Sequence, residues 1–434
     1  MRKIALINHG CAKNLVDSEL MLGKLAQNGY KITLDDNNAD IVIINTCSFI
    51  HDAEKESVAS IFDMIQKGKK IIITGCLSQK YQKELQELIP EAGAFLGTSD
   101  IDKIVDTVKK VTKDKTKIYS VNEKPNYIYP EDIERQQITM GASSYIKIAE
   151  GCNFKCGYCI IPQLRGPYIS RKKENIIKEA RNLAKKGVNE ICLIAQDTTS
   201  YGKDIYKKPA LTELLKELNE IEELSWIRIL YTYPSLITDE LLQTINKLDK
   251  VVKYIDVPLQ HVSKNMLELM NRPVEDYRKL IKRIRKFIPD AAIRTTFIVG
   301  YPGETEDDFT ELYNFIKEMK LDRVGVFEFS KEKNTKAYKL KPQITAKVKK
   351  QRKKILMELQ QKISKEINQK LIGTKIDCIA ESISEDGIIT ARTYKDAPEI
   401  DGLIFIKADA PVEPGDIITC KITGANEYDL TGSL

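Results

Sequence analysis

The chain has 434 residues, 42% of them hydrophobic and 30% charged, which fits a globular protein of about two or three domains and excludes a disordered one. No apolar run reaches the roughly 18 residues of a membrane helix, and MRKIALINHG is too short in apolar residues for a secretory signal. Nine cysteines without such a signal point to a reducing, cytoplasmic setting and to metal ligation over disulfides. The net charge of +6 is uneven: residues 331–370 hold 14 basic and 3 acidic side chains, a balance of +11, and 373–434 hold 5 basic and 12 acidic, a balance of −7.

In the first segment KIALIN (3–8), ADIVIIN (39–45) and KKIIIT (69–74) read as buried parallel strands, with helical spacing over Ser18–Asn28 and Asp52–Lys67 between them. This predicts an open parallel α/β domain over 1–112. A cysteine follows each strand: Cys11, Cys47 and Cys76. In an open parallel sheet the loops past the strand carboxyl ends share one side, so the three thiols are expected to meet as a three-thiolate site unless they are unrelated loop cysteines. Residues 113–139, with Pro125 and Pro130, lack sustained periodicity and read as a linker or connecting hairpin.

In the second segment, 140–370, SYIKIAE (144–150) leads into EGCNFKCGYCIIP, where Cys152, Cys156 and Cys159 have the spacing C-x3-C-x2-C. Three thiolates this close can ligate three irons of a 4Fe–4S cluster, leaving the fourth iron open to chelate a small molecule. Zinc would call for a second cysteine pair or histidines, and the chain has only His9, His51 and His261. Strand-like EICLIA (190–195), WIRILY (226–231), YIDVPL (254–259), AIRTTFIVG (292–300) and VGVFEFS (324–330) then alternate with helical stretches. Six strands predict a (β/α)6 partial barrel with its active face at the strand carboxyl ends. A helix rich in Lys and Arg follows over 345–371, and the basic stretch 331–370 is expected to be either a solvated helix face or an RNA contact. The remainder, 371–434, reads as a small antiparallel β-barrel with Cys378 and Cys420 in its core; Cys192 is likewise expected in the core of the second segment.

The cysteine loop, with Tyr158 before its last cysteine, resembles the radical S-adenosylmethionine superfamily. A strand-capping cysteine trio, such a core and a terminal β-barrel together resemble the methylthiotransferases over essentially the whole chain, the barrel corresponding to their TRAM module. The resemblance implies two 4Fe–4S clusters, one on Cys11, Cys47 and Cys76 and a catalytic one on Cys152, Cys156 and Cys159. It also implies S-adenosylmethionine chelated by the open iron of the catalytic cluster and cleaved to a 5′-deoxyadenosyl radical. It places Tyr158 near the adenine, Gln196 and Asp197 at the methionine amino group, and Gly300, Gly303 and Glu304 where the backbone approaches adenine. A core tyrosine is the alternative for Tyr158, and for Gln260 and His261 packing in a turn competes with a ribose contact. Arg165 is expected either to orient a carboxylate or to form a surface salt bridge. FIVGYPGET (297–305) lacks the Lys-Ser/Thr of a phosphate-binding loop.

GCAKNLVDSE (10–19), NTCSFI (45–50), IAQDTTSYG (194–202), YIDVPLQH (254–261) and DAPEIDG (396–402) look like one branch of that family. That branch methylthiolates the β-carbon of an aspartate in the small-subunit ribosomal protein of the decoding centre; the other modifies a transfer RNA adenosine. Ala12 stands where the family more often has proline. The −7 balance agrees, because an acidic surface suits a basic ribosomal protein and repels phosphate. The resemblance implies a reducing donor such as a flavodoxin or ferredoxin; no membrane partner is expected, and methylthiolation of transfer RNA is the competing activity, disfavoured by the acidic barrel and the branch motifs. An iron–sulfur electron carrier or a ribosome-binding scaffold is the reading from a different class, and a carrier has little use for a six-strand barrel with an open cluster.

Overall fold

The computed structural model describes every residue except Met1, Phe49, 114–116, Ile128, 132–133, 139–140 and 408–410. Phe49 of the NTCSFI motif and parts of the 113–139 segment thus lie outside the described residues. Two compact units form, one of residues 1–140, 149–154 and 159–171, the other of 141–148, 155–158 and 172–434.

The first unit is built on six parallel strands: β1 (Lys3–Asn8), β2 (Lys31–Ile32), β3 (Ile41–Thr46), β4 (Lys70–Gly75), β5 (Ala94–Leu96) and β6 (Ile118–Ser120). Their order is β2-β1-β3-β4-β5-β6. Every residue of β3, and all of β4 but Lys70, is buried, which is why both read as unbroken apolar runs. The helix α1 (Ala12–Gln27) starts six residues before the expected Ser18. Its first turns bury Asn14, Asp17, Ser18 and Glu19, and these polar side chains conceal the apolar periodicity. The helix α2 (His51–Gln66) falls where its spacing predicts. In the segment expected as a linker or hairpin, β6 instead adds a parallel edge strand to β5. Three residues are too few to show a period.

In the second unit the six expected strands are present and parallel, arranged as two three-stranded sheets. One holds Trp226–Ile229, Glu190–Ile194 and Ser143–Lys147; the other holds Tyr254–Asp256, Ala292–Val299 and Arg323–Glu328. An Ile227–Val251 bridge and a hydrogen bond from Thr232 N–H to Asp256 O (3.0 Å) link them, giving the open barrel. Among the described residues six α-helices of this unit fill the five connections between these strands, and the last, Glu306–Met319, starts from a reciprocal Thr305–Asp308 capping box.

Residues Lys375–Ile383, Ile388–Thr393, Ile404–Lys407, Leu430–Ser433 and Ile417–Ala425 close a five-stranded barrel in that order. It is not wholly antiparallel: Ile404–Lys407 and Leu430–Ser433 run parallel. An odd ring of strands cannot alternate direction all the way round, so one seam must be parallel. Cys378, Cys420 and Cys192 are buried core residues.

The terminal barrel is anchored on the amino-terminal ends of the core strands by buried charge. Glu190 lies between Arg392 (2.5 Å) and Arg228 (2.7 Å), all three side chains essentially without solvent exposure. Arg323 holds Asp396 (2.5 Å), and Tyr254 donates to Asp401 (2.5 Å). Burial raises the Glu190 carboxyl, but Arg392, Arg228 and the Ser143 hydroxyl outweigh it and bring it down to about 2 from an ordinary 4.5. Glu190→Gln keeps the shape while leaving two buried guanidiniums short of charge, so a loss of about 3–5 kcal/mol is expected. It is read as a lower urea midpoint. Because the folded pKa is depressed, the contribution is full above pH 4.5 and fades as pH falls toward 2; the variant should lack that acid-side slope.

Candidate functional site

In the first unit Cys11, Cys47 and Cys76 follow the carboxyl ends of β1, β3 and β4, three adjacent strands. The register Asn8↔Asn45 and Asn45↔Thr74 sets those ends flush. The Asn14 amide donates to Thr46 O (3.0 Å), and the Asn45 amide donates to Asn14 O and Ser18 Oγ (both 2.9 Å), tying α1 to β3. Cys47 N–H donates to Ser57 Oγ (3.0 Å) on α2. Cys76 is buried and opens a short helix, Cys76–Tyr81, while Cys11 is exposed at the start of α1.

Arg165 is buried here and is neither a surface salt bridge nor open to a substrate carboxylate. Its guanidinium donates to Asp17 (2.7 Å), Glu150 (3.4 Å), Asn14 Oδ1 and the Cys76 sulfur (3.7 Å). Tyr127 donates its hydroxyl to the other Asp17 oxygen (3.0 Å). Although Cys11 is exposed at the surface, the protein around it still desolvates the thiol; Lys13, Arg165 and the backbone N–H groups of Asn14 and Lys13 outweigh that and bring it below its ordinary value. For Cys76 desolvation wins over Arg165 and the thiol is raised.

Among the described residues no three His, Cys, Asp or Glu side chains converge on a single metal ion. A cuboidal cluster asks for a wider triangle, since each thiolate binds a different iron. Three buried polar atoms beside these cysteines have no hydrogen-bond partner: His9 Nε2, Ser48 Oγ and Thr74 Oγ1. Each sits within two residues of Cys11, Cys47 or Cys76, as expected of groups that face a bound cofactor.

Of the other trio, Cys152 and Cys159 belong to the first unit and Cys156 to the second. In the second unit Gly157 N–H donates to Met270 O (2.7 Å), and Asn271 donates its amide to Lys155 O (2.7 Å). A Cβ on Gly157 would stand 2.6 Å from the Tyr301 hydroxyl, so only glycine fits. Arg272 donates to the Tyr158 hydroxyl (3.3 Å) and Pro258 O (3.0 Å), lies 3.9 Å from the Cys156 sulfur and stacks on Tyr233. Tyr158 is half-buried against Met266, Met270, Tyr301, Phe329 and Ala337.

Gln196 and Asp197 follow the strand Glu190–Ile194; Asp197 Oδ1 accepts from Thr199 N–H (3.0 Å), Thr199 Oγ1 (2.5 Å) and Ser200 N–H (3.3 Å). Desolvation raises the Asp197 carboxyl against those bonds. Gly300 and Gly303 both have positive φ in the loop after Ala292–Val299. Glu304 is buried, accepting from Gly300 N–H, from Arg352 (2.7 Å) and from His261 across 3.3 Å. His261 Nδ1 accepts from Val262 and Ser263 N–H, which is the turn-packing alternative. Glu304 thus fixes the loop with its carboxylate.

Family models match along the chain: "Uncharacterized protein family UPF0004" over 3–97, "Radical SAM superfamily" over 146–316 and "TRAM domain" over 372–434. The protein named ribosomal protein uS12 methylthiotransferase RimO of Caldanaerobacter subterraneus subsp. tengcongensis is 50% identical, each chain covered completely. That of Clostridioides difficile is 47% identical over 100% of this chain and 99% of its own. The chain belongs to the RimO family. RimO-family proteins are radical S-adenosylmethionine methylthiotransferases, enzymes that use S-adenosylmethionine and 4Fe–4S clusters. At the level of fold alone, the radical S-adenosylmethionine methyltransferase TsrM of Kitasatospora setae superposes with a TM-score of 0.58 over 90% of this chain and 80% of its own, at 12% identity.

Two arginines, one in each unit, stand beside cysteines of this RimO-family chain and escape the motifs. Arg165 carries a signal only in standing six residues after Cys159, and Arg272 none, since it reaches Cys156 across 116 residues of chain. Arg165→Leu leaves Asp17 and Glu150 buried without their cation, a loss of about 3–5 kcal/mol. The metal-free protein is expected to melt at a lower temperature by circular dichroism, whereas Arg165→Lys retains part of the stability.

Proposed function

We propose that this enzyme methylthiolates the β-carbon of an aspartate in ribosomal protein uS12, the substrate after which relatives 42–50% identical over the full chain are named. One observation carries the reading. Besides the C-x3-C-x2-C loop, three further thiols cap adjacent strands, so the chain offers one more open cluster site than S-adenosylmethionine cleavage requires.

Cys152, Cys156 and Cys159 would hold one 4Fe–4S cluster, and Cys11, Cys47 and Cys76 the other. When bound, the former supplies the electron that cleaves S-adenosylmethionine and the latter carries the sulfur to be transferred. The protein's own residues position and exclude. Arg272 sets a fixed cation beside Cys156 and holds Tyr158 by its hydroxyl, orienting that ring for the adenine. Gly300 and Gly303, held by Glu304, bring backbone to the nucleoside, and Gln196 and Asp197 supply polar groups for the methionine end. Apolar packing against Met266, Met270, Tyr301 and Phe329 holds the Tyr158 ring in place. A flavodoxin or ferredoxin serves as the cytoplasmic reductant.

Mass spectrometry of small-subunit proteins from cells with and without the gene tests the substrate. One aspartate of uS12 is expected to carry an added SCH2 only when the gene is present. A methylthio group lost instead from a transfer RNA adenosine would sink the assignment. In vitro, Cys152→Ala should abolish 5′-deoxyadenosine release. Cys11→Ala should lose about half of the bound iron and all methylthio transfer, yet still release 5′-deoxyadenosine. Transfer surviving in Cys11→Ala would remove the role of the first trio.

A further inference from the structure

The last strand of the core, Arg323–Glu328, emerges at its carboxyl end into a lysine-rich segment that continues into the helix Ala346–Gln369. Between Lys331 and Lys354 nine lysines are exposed, and no exposed acidic side chain lies among them, Glu332 being buried. The two cations of the stretch that point inward are engaged: Lys349 donates to Phe329 O (2.7 Å) and Arg352 to Glu304 (2.7 Å). The segment is tied to the cysteine loop itself. Ala337 N–H donates to Gly157 O (2.8 Å), so the turn Lys336–Lys339 sits next to the residue that follows Cys156. A Cβ on Gly300 would stand 2.2 Å from Lys349, so the start of the helix also abuts the Gly300–Glu304 loop. The catalytic end of the core therefore carries a dense positive rim, while the acidic terminal barrel is anchored at the opposite, amino-terminal ends of the strands.

Such a rim works against free uS12, because a protein that lives among RNA phosphates is itself cationic. It suits the phosphate backbone of the RNA around that protein. Building on the function proposed above, we propose that the substrate is the assembled small ribosomal subunit, with the rim at Lys331, Lys333, Lys336 and Lys339 docking on ribosomal RNA phosphates beside the target aspartate.

The test compares the wild type with Lys331→Gln/Lys333→Gln/Lys336→Gln/Lys339→Gln and with the matching quadruple Lys→Arg variant. Binding to unmodified small subunits is followed by fluorescence anisotropy across a potassium chloride series. Loss of four phosphate contacts should lower the slope of log affinity against log salt by roughly 3; the arginine variant should keep the slope. Turnover on subunits should fall with binding in the glutamine variant, while turnover of a free peptide bearing the target aspartate stays the same or rises. An unchanged salt slope, an equal loss of turnover on subunit and peptide, or tighter binding to free uS12 than to the subunit would overturn the proposal. If neither substrate gains a methylthio group, the function proposed above fails, and the binding slopes still decide whether the rim contacts RNA.

Discussion

Strand polarity is the constraint on which the chemistry rests. A parallel sheet points every carboxyl end the same way, so residues just past those ends gather on one side however far apart they lie in sequence. In the first unit this sets three cysteines just past three adjacent strand ends that lie in register. In the second it collects Asp197, the Gly300–Glu304 loop and the lysine rim at the end of the core that carries Cys156. The same polarity leaves the amino-terminal ends free to anchor the terminal barrel without crowding the catalytic end.

Buried arginine is the second organising element. Arg165 and Arg272 each stand beside a cysteine sulfur, and both have a raised pKa; burial opposes the charge, and surrounding carboxylates, thiols or phenols outweigh it. A cation fixed in this way counters the negative charge that thiolates and sulfides bring to a low-dielectric site. Arg392, Arg228 and Arg323 do a structural task with the same physics, joining barrel to core through Glu190 and Asp396. Such pairs are costly to desolvate and severe to break, and they specify one docking geometry over others.

The charge asymmetry of the sequence acquires a different meaning once folded. Part of the −7 of the terminal barrel is internal, because Asp396 is buried against Arg323 and Asp401 lies within reach of Arg294 (3.6 Å). The basic stretch, by contrast, stays outside almost entirely and lies at the catalytic end. The second unit thereby carries an anionic module and a cationic rim at opposite ends.

Sequence by itself determined the fold class, the six core strands and the closing barrel. Apolar periodicity is a local signal, and local signals survive in a linear string. It missed the start of α1 and the edge strand β6, where buried polar residues or mere shortness hide the pattern. Only tertiary structure decided which polar side chains meet. It turned Arg165 from a surface candidate into the buried partner of Asp17 and Cys76, and brought Arg272 to Cys156. It also made Glu304 a loop clasp held by Arg352. Those pairings join residues tens to more than a hundred positions apart, and their strength comes from shared burial, which no sequence spacing encodes.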